Sequence, residues 1–543
     1  MSNNDLPWWK KAVFYQIYPR SFCDSTGNGV GDLAGISNNL EYLRDLGIEG
    51  LWISPFLKSP QKDYGYDVSD YRSVDPLFGD TEEYERLIKK ADKLSIKVIM
   101  DLVLSHTSDK HDWFIESRNS KDNPRADWYV WADPKEDGTP PNNWQSVFGG
   151  SAWQYDTRRE QYYLHNFLKE QPDLNYHNPD VQQEALDIVR YWLDRGVAGF
   201  RLDVINYLFH DQQLRDNPPN TSGIYRSEQF EKKEPYGMQM HKYDRSQPEM
   251  LPFIERLRKL MDEYPDTMTL GEVADDNRYK IIAEYTSEGR LNTAYNTALL
   301  GGVSKTLTSS MFIDAYKEME KDAQDFWPSW ALSNHDVVRV ATRWAGADIG
   351  NEQMCKLYLA LLLSLRGTVF IYQGEELGLP EANIPFEKIQ DPWGKYLWPE
   401  WQGRDGCRTP MPWNHDRHQA GFTEGEEPWL PIPQNHKERA VDIQRHDPNS
   451  VLSFTKNLIA WRKNQESLTA GTIEFLDMGE DILAYKREDI LCVFNLRNQE
   501  KEIQFLEKIE ELNSFGAWII SNDNLNTLCG LSGFGFGFFR IIG

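Results

Sequence analysis

Several signals are missing from this 543-residue chain. It has no CxxC motif, and its five cysteines, Cys23, Cys355, Cys407, Cys492 and Cys529, are odd in number and widely spaced. That excludes a cysteine-knuckle metal site and a disulfide framework, and predicts free thiols in a reducing compartment. The first residues, Met1-Ser2-Asn3-Asn4-Asp5, lack a basic start followed by an apolar run, so no secretory leader is expected. Apolar runs fall short of the roughly 18 residues a membrane span needs. Together these place the protein in the cytoplasm and off the membrane. Positive charge is scarce: 59 Lys and Arg stand against 84 Asp and Glu, for a net charge of -25. Such a field repels phosphate backbones, so nucleic acid is excluded as a partner. A monomer or weak homo-oligomer acting on a neutral small molecule fits better.

Aromatics are plentiful at 13%. Rings fill large cores, and they also stack on flat apolar faces such as those of sugars. Apolar runs at 13–18, 50–54, 97–102, 198–203, 267–272, 330–333 and 368–372 read as strands buried on both faces. Helical patterns with clear start signals lie between them. Asp80 with Glu83 makes a capping box. Asn178 before Pro179 opens a helix whose stripe is Val181, Ala185, Ile188, Val189 and Trp192, ended by Gly196. This alternation predicts an α/β fold, a closed (β/α)8 TIM barrel. A doubly wound sheet is the alternative, but no GxGxxG follows the first strand.

Two polar stretches interrupt the alternation, 105–176 after the third strand and about 374–433 after the last. Both leave from strand C-terminal ends, where barrels build their sites. Beyond about 460 the pattern changes to period two, with Gly alternating with Phe534, Phe536 and Phe538. The expected organisation is a barrel over 1–104 and 177–460, an inserted domain over 105–176, and an antiparallel C-terminal β domain over 461–543.

The chemistry-bearing residues stand at strand ends. Arg201 and Asp203 are two apart, on one face of one strand. Glu272 and Asp336 end two further strands. Glycoside cleavage needs one carboxylic acid to protonate the leaving oxygen and a second carboxylate to attack the sugar carbon. Asp203 suits the second role, with Arg201 expected to hold its pKa down. Glu272 suits the first if burial and neighbouring acids raise its pKa. Asp336 would bind sugar hydroxyls, and His335 and His106 would donate to hydroxyls or developing charge.

These residues resemble a known family. Asp101-Leu102-Val103-Leu104-Ser105-His106, Gly199-Phe200-Arg201-Leu202-Asp203, Gly271-Glu272-Val273 and Ser333-Asn334-His335-Asp336 resemble four signature regions of the α-amylase family, glycoside hydrolase family 13. Gln171-Pro172-Asp173-Leu174-Asn175 resembles its fifth, in the form found in oligo-1,6-glucosidases and related α-glucosidases. Ser105 departs from the usual Asn, which is expected to weaken a local hydrogen bond. The resemblance implies a retaining double displacement, with Asp203 as nucleophile, Glu272 as acid/base and Asp336 as transition-state stabiliser. It further implies that Asp63 and Tyr66 bind glucose, that Arg404 pairs with Asp63 to block one end of the cleft, and that Phe148 and Phe167 wall the pocket. A blocked cleft favours an exo-acting α-glucosidase on short oligosaccharides, with some transglucosylation.

Linkage cues conflict. Val204 after the nucleophile accompanies α-1,6 preference in relatives, whereas Val273-Ala274-Asp275-Asp276 is similar to α-1,4-active enzymes. Oligo-1,6-glucosidase is the near alternative, and a sucrose isomerase or trehalose synthase the distant one. A non-catalytic, membrane-anchored member is disfavoured because all three acids are present. Finally, Asp24, Thr26, Asn28, Val30 and Asp32 offer oxygens at alternate positions around a turn. They resemble a loop that holds a structural Ca2+ or Mg2+, although Thr26 replaces the usual Asp or Asn and no Glu stands in twelfth place.

Overall fold

The computed structural model describes residues 6–222, 234–301, 306–522 and 526–542. Eight short parallel strands form one curved sheet: β1 (Val13–Ile17), β2 (Gly50–Ile53), β3 (Lys97–Leu102), β4 (Gly199–Leu202), β5 (Met268–Glu272), β6 (Thr293–Tyr295), β7 (Ser329–Ala331) and β8 (Thr368–Tyr372). Their spatial order is β6-β5-β4-β3-β2-β1-β8-β7. The seam between β6 and β7 is bridged by side chains. Thr293 Oγ1 donates to Trp327 O at 2.8 Å, and Ser329 Oγ donates to Ala294 O at 2.9 Å. The result is a nearly closed (β/α)8 barrel. Its strands are buried along almost their whole length, which is why they read as continuous apolar runs.

β6 was not among the expected strands. It has three residues bracketed by Asn292 and Asn296, so it offers no apolar run to detect. The seventh strand also begins and ends earlier than expected, at Ser329–Ala331 rather than 330–333.

The start signals act locally as their chemistry requires. Asp80 accepts from Glu83 N at the head of helix Thr81–Lys93, and Asn178 accepts from Asp180 N at the head of Pro179–Leu193. The stretch after β3 carries a short helix, Asp112–Ser117, and a three-stranded sheet of Trp131–Ala132, Gln161–Leu164 and Trp153–Asp156. It is pinned back to the barrel by a bridge between His106 and Asp173. Beyond the barrel lies an antiparallel sheet. Its central strand, Thr527–Ile542, sets Phe536 opposite Phe494 and Phe538 opposite Cys492. Helix Glu352–Ser364 is buried throughout from Met354 to Ser364 and touches both layers, with Ser364 Oγ 2.7 Å from Tyr485 Oη. All five cysteines are free thiols.

Candidate active site

Strand register builds the site. Asp101 on β3 stands directly opposite Arg201 on β4. Gly271 on β5 pairs with Leu202, so Glu272 comes next to Asp203 at the rim. Three carboxylates from three strands therefore converge on one guanidinium. Arg201 Nη1 donates to Asp101 Oδ1 at 2.8 Å and to Asp203 Oδ1 at 2.5 Å, while Nη2 donates to Glu272 Oε2.

The trio carries more negative charge than Arg201 can balance. Burial raises Asp203 to about 7, and the Asp101 charge adds to this; Arg201 opposes both but does not win. Arg201 therefore does not hold Asp203 below its usual range, contrary to the expectation above, because it is shared among three acids. Glu272 is likewise raised to about 7, first by burial and then by Asp203 and Asp336, against the pull of Arg201. Burial also lifts Asp101, to about 6. The trio thus retains a proton near neutral pH. Glu272 is the most open member, with a side chain 21% exposed against 9% for Asp203 and 0% for Asp101. It is the member best placed to pass a proton to a bound molecule.

The fourth acid behaves oppositely. Asp336 is only partly buried, its side chain 24% exposed, and His335, Arg404, Arg408 and Arg201 outweigh the effect of that burial and hold it well below the carboxylate range. Arg404 Nη1 and Arg408 Nη2 reach its Oδ1 at 3.2 and 2.9 Å. His335 is neutral, pulled down to about 3 by burial despite Asp336 beside it. Gln16 Nε2 donates to its Nδ1 at 2.8 Å, which leaves the proton on Nε2. That nitrogen lies 2.6 Å from Tyr66 Oη and 3.1 Å from Asp336 Oδ2. Tyr66 Oη in turn donates to Asp101 Oδ2 at 3.1 Å, and its ring lies parallel to His335 with centroids 5.6 Å apart.

Arg404 also joins two further acids. Arg404 Nη2 bonds Asp63 Oδ1 at 3.0 Å and Asp391 Oδ1 at 2.8 Å. Its guanidinium carbon lies 5.4 Å from the centroid of Phe148, which meets Phe167 edge-on. Phe167 packs on His106. Gln171 Nε2 lies 3.3 Å from Asp63 Oδ2 and 3.1 Å from His106 Nε2. Burial keeps His106 neutral, at about 4. Ser105 Oγ lies 3.0 Å from His106 Nδ1, so this hydroxyl still steadies the ring.

The structure thus brings Asp203, Glu272, Asp336, Asp63, Tyr66, His106, Phe148, Phe167, Arg201, His335 and Arg404 into one connected cluster. It adds Asp101, Asp391 and Arg408, to which the sequence reading gave no role. Asp101 had a signal, an acid at a strand end. Arg408 had a weaker one, four residues beyond Arg404 across the turn Asp405–Cys407. Asp391 lies in a Pro- and Trp-rich loop and had none.

Two features border the cluster. Val204, directly after Asp203, has φ 32° and ψ 50°. A β-branched residue held in the left-handed region costs about 1–3 kcal/mol. The 24–32 loop docks on the excursion after β8, where Thr423 Oγ1 donates to Asp24 Oδ2 at 2.5 Å. Asp24 Oδ1 accepts from Thr26 N and Gly27 N, Asn28 accepts from Val30 N, and Asp32 accepts from Ser25 and Gly35. The loop's side-chain oxygens are hard donors suited to Ca2+ or Mg2+, and the loop's own amides and hydroxyls already bond to them.

Comparison with known proteins identifies the family. A family model described as alpha amylase, catalytic domain, matches residues 16–471. A probable alpha-glucosidase of Rhizobium meliloti (strain 1021) is 48% identical over 520 residues, 94% of this chain and 94% of that one. An oligo-1,6-glucosidase of Heyndrickxia coagulans is 39% identical over 502 residues, 86% and 87% of the two chains. The crystal structure of the alpha-glucosyl transfer enzyme XgtA matches with a TM-score of 0.94 at 49% identity, covering 99% of this chain and 100% of that one. The trehalulose synthase MutB from Pseudomonas mesoacidophila MX-45 matches at 0.88 and 30% identity, covering 99% and 100%. The chain belongs to the alpha-amylase family of glycoside hydrolases.

Proposed function

We propose that this protein is an exo-acting, retaining α-glucosidase that removes terminal glucose from short α-glucosides and also transfers it to acceptor hydroxyls. The Asp63–Arg404 ion pair beside the carboxylate trio carries this reading. It closes the cleft at one end and leaves room for one terminal sugar. Glu272 protonates the leaving oxygen while Asp203 attacks the anomeric carbon, giving a glucosyl-enzyme and a free alcohol. Glu272, now ionised, takes a proton from water or from an acceptor hydroxyl, which displaces Asp203. Asp336, kept ionised by its arginines, faces the positive charge that develops in both steps. The relatives named for α-glucosidase and glucosyl-transfer activity support hydrolysis with transfer. Val204 and the relatives named oligo-1,6-glucosidase favour a second reading, preference for α-1,6 bonds. Isomerisation of sucrose is the more distant option, in line with the lower identity to MutB.

Azide rescue tests the roles. Asp203→Ala should lose hydrolysis and, with azide, form β-glucosyl azide. Glu272→Ala should form α-glucosyl azide, because azide then attacks the glucosyl-enzyme. The same anomer from both variants, or substantial hydrolysis without azide, would overturn the assignment.

The 24–32 loop is proposed to hold one Ca2+ or Mg2+ through Asp24, Thr26, Asn28, Asp32 and the Val30 carbonyl, steadying the loop with no part in the chemistry. The free thiols suit a cytoplasmic location.

A further inference from the structure

Behind the two reacting acids lies a contact that the reaction scheme does not use. Asn206, in the 3-10 turn Ile205–Tyr207 three residues past Asp203, is 1% exposed. Its side-chain amide pairs with one peptide unit as a neighbouring strand would. Nδ2 donates to Ala274 O at 2.7 Å, and Ala274 N donates to Oδ1 at 3.2 Å. The second Nδ2 hydrogen goes to Ser246 Oγ at 3.0 Å, and Ser246 Oγ donates to Asp275 Oδ2 at 2.6 Å. Asn206 O accepts from Ser246 N at 2.7 Å. Every polar group of that side chain is used. Asn206 therefore ties the loop after Asp203 to the loop after Glu272, since Ala274 is two residues beyond Glu272.

Between Asp203 and Asn206 sits the left-handed Val204, whose N–H donates to Glu272 Oε2 at 3.2 Å. In a relaxed backbone Val204 would leave that conformation and turn its N–H away. A strained residue persists only where its surroundings over-determine it, and the Asn206 pairing provides that constraint.

We propose that Asn206 is a positioning residue: by clamping the loop after Asp203 to Ala274, it holds the strained turn at Val204 so that the Val204 N–H fixes the Glu272 carboxyl where it must deliver its proton. This rests on the acid/base reading of Glu272.

The test compares leaving groups. kcat/KM reports the first, bond-breaking step. A methyl α-glucoside needs a proton on its leaving oxygen, and α-glucosyl fluoride does not. Asn206→Ala should lower kcat/KM on the methyl glucoside by ~100-fold, within the ~10²–10⁴ that general acid catalysis supplies, and change the fluoride by less than about threefold. Equal losses on both substrates, or none on either, would sink the proposal, because general loosening of the fold does not sort leaving groups. Val204→Gly is the second variant. Glycine enters the left-handed region freely, so Asn206→Ala should cost less in the Val204→Gly background than alone. A cost as large in that background removes the strain argument. Should Asn206→Ala not fold, Asn206→Ser gives the same leaving-group comparison. Glu272→Gln serves as control: if it too spares the methyl glucoside, the functional reading fails, whereas if only Asn206→Ala spares it, the positioning role alone fails.

Discussion

Asp101 and Arg201 face each other across the β3–β4 ladder, with Nη1 2.8 Å from Oδ1, and this contact anchors the guanidinium that Asp203 and Glu272 share. The pair is buried, and Trp52 Nε1 and Tyr66 Oη complete the hydrogen bonding of the other Asp101 oxygen. Asp101 thus holds the guanidinium together with Asp203 and Glu272.

Removing that cation should be severe. Arg201→Met leaves the buried Asp101 and Asp203, and the partly exposed Glu272, without their shared counter-charge, and breaking a buried ion pair in this way costs about 3–5 kcal/mol. Arg201→Lys should fold better, but a single ammonium cannot bridge three carboxylates as a planar fork does. We expect a lower Tm for Arg201→Met and loss of most kcat/KM in both variants. Thermal denaturation and 4-nitrophenyl α-glucoside kinetics check this, and wild-type activity in Arg201→Lys contradicts it.

Asp63 offers a milder test. In Asp63→Ala, Arg404 keeps Asp391 and Asp336, so the fold should hold. Bound glucose loses a charged hydrogen-bond acceptor, worth about 1.5–3 kcal/mol, or roughly 10–100-fold in kcat/KM. The closed end also opens, so the preference for one-sugar binding should weaken. Steady-state kinetics on maltose and longer maltooligosaccharides will measure both effects. An unchanged kcat/KM on maltose argues against glucose binding at Asp63.

Stability should fall as pH rises through neutrality. Burial is the largest cause raising Glu375 to about 8, Glu381 and Asp173 to about 7, and Asp203 and Glu272 to about 7. In the unfolded chain these groups ionise near pH 4. Between about pH 4 and 8 the folded state therefore binds more protons than the unfolded state. The stability contributed by these groups is present at the acid end of that window and lost through it. Asp336 and Asp391 act the other way, since their arginines outweigh burial, and their contribution disappears only below about pH 4. We expect a higher Tm near pH 5 than near pH 8.5, with activity peaking near neutrality. A Tm that rises steadily from pH 5 to 8.5 disproves the assignment.

Chelation tests the loop. Treatment with EDTA followed by desalting should release one equivalent of Ca2+ or Mg2+ and lower the Tm, with activity at 25 °C little changed. If metal analysis finds none and the Tm does not move, the loop is held by its own hydrogen bonds alone.

How much of this was legible beforehand depends on how local each signal was. The barrel could be read because both-face burial imprints long apolar runs on β1, β3, β5 and β8, and because Asp80 and Asn178 cap their helices through bonds to residues two or three positions away. β6 was invisible because three residues carry no periodicity. The acids at strand ends could be named, since a charge closing an apolar run is conspicuous in one dimension.

The sequence by itself determined most of the inventory: every barrel strand but β6, the acids that stand at strand ends, and the sign of the surplus charge. Only the tertiary structure decided how those charges are shared. Arg201 lies two residues from Asp203, so it read as that residue's private counter-ion. The ladder also brings it Asp101 and Glu272, from 100 residues before it and 71 after. Burial then strengthens every unbalanced charge, so the same guanidinium that appeared able to hold one carboxylate ionised leaves a proton among three. Proton affinity in a pocket depends on distances and dielectric, and neither is written in residue order.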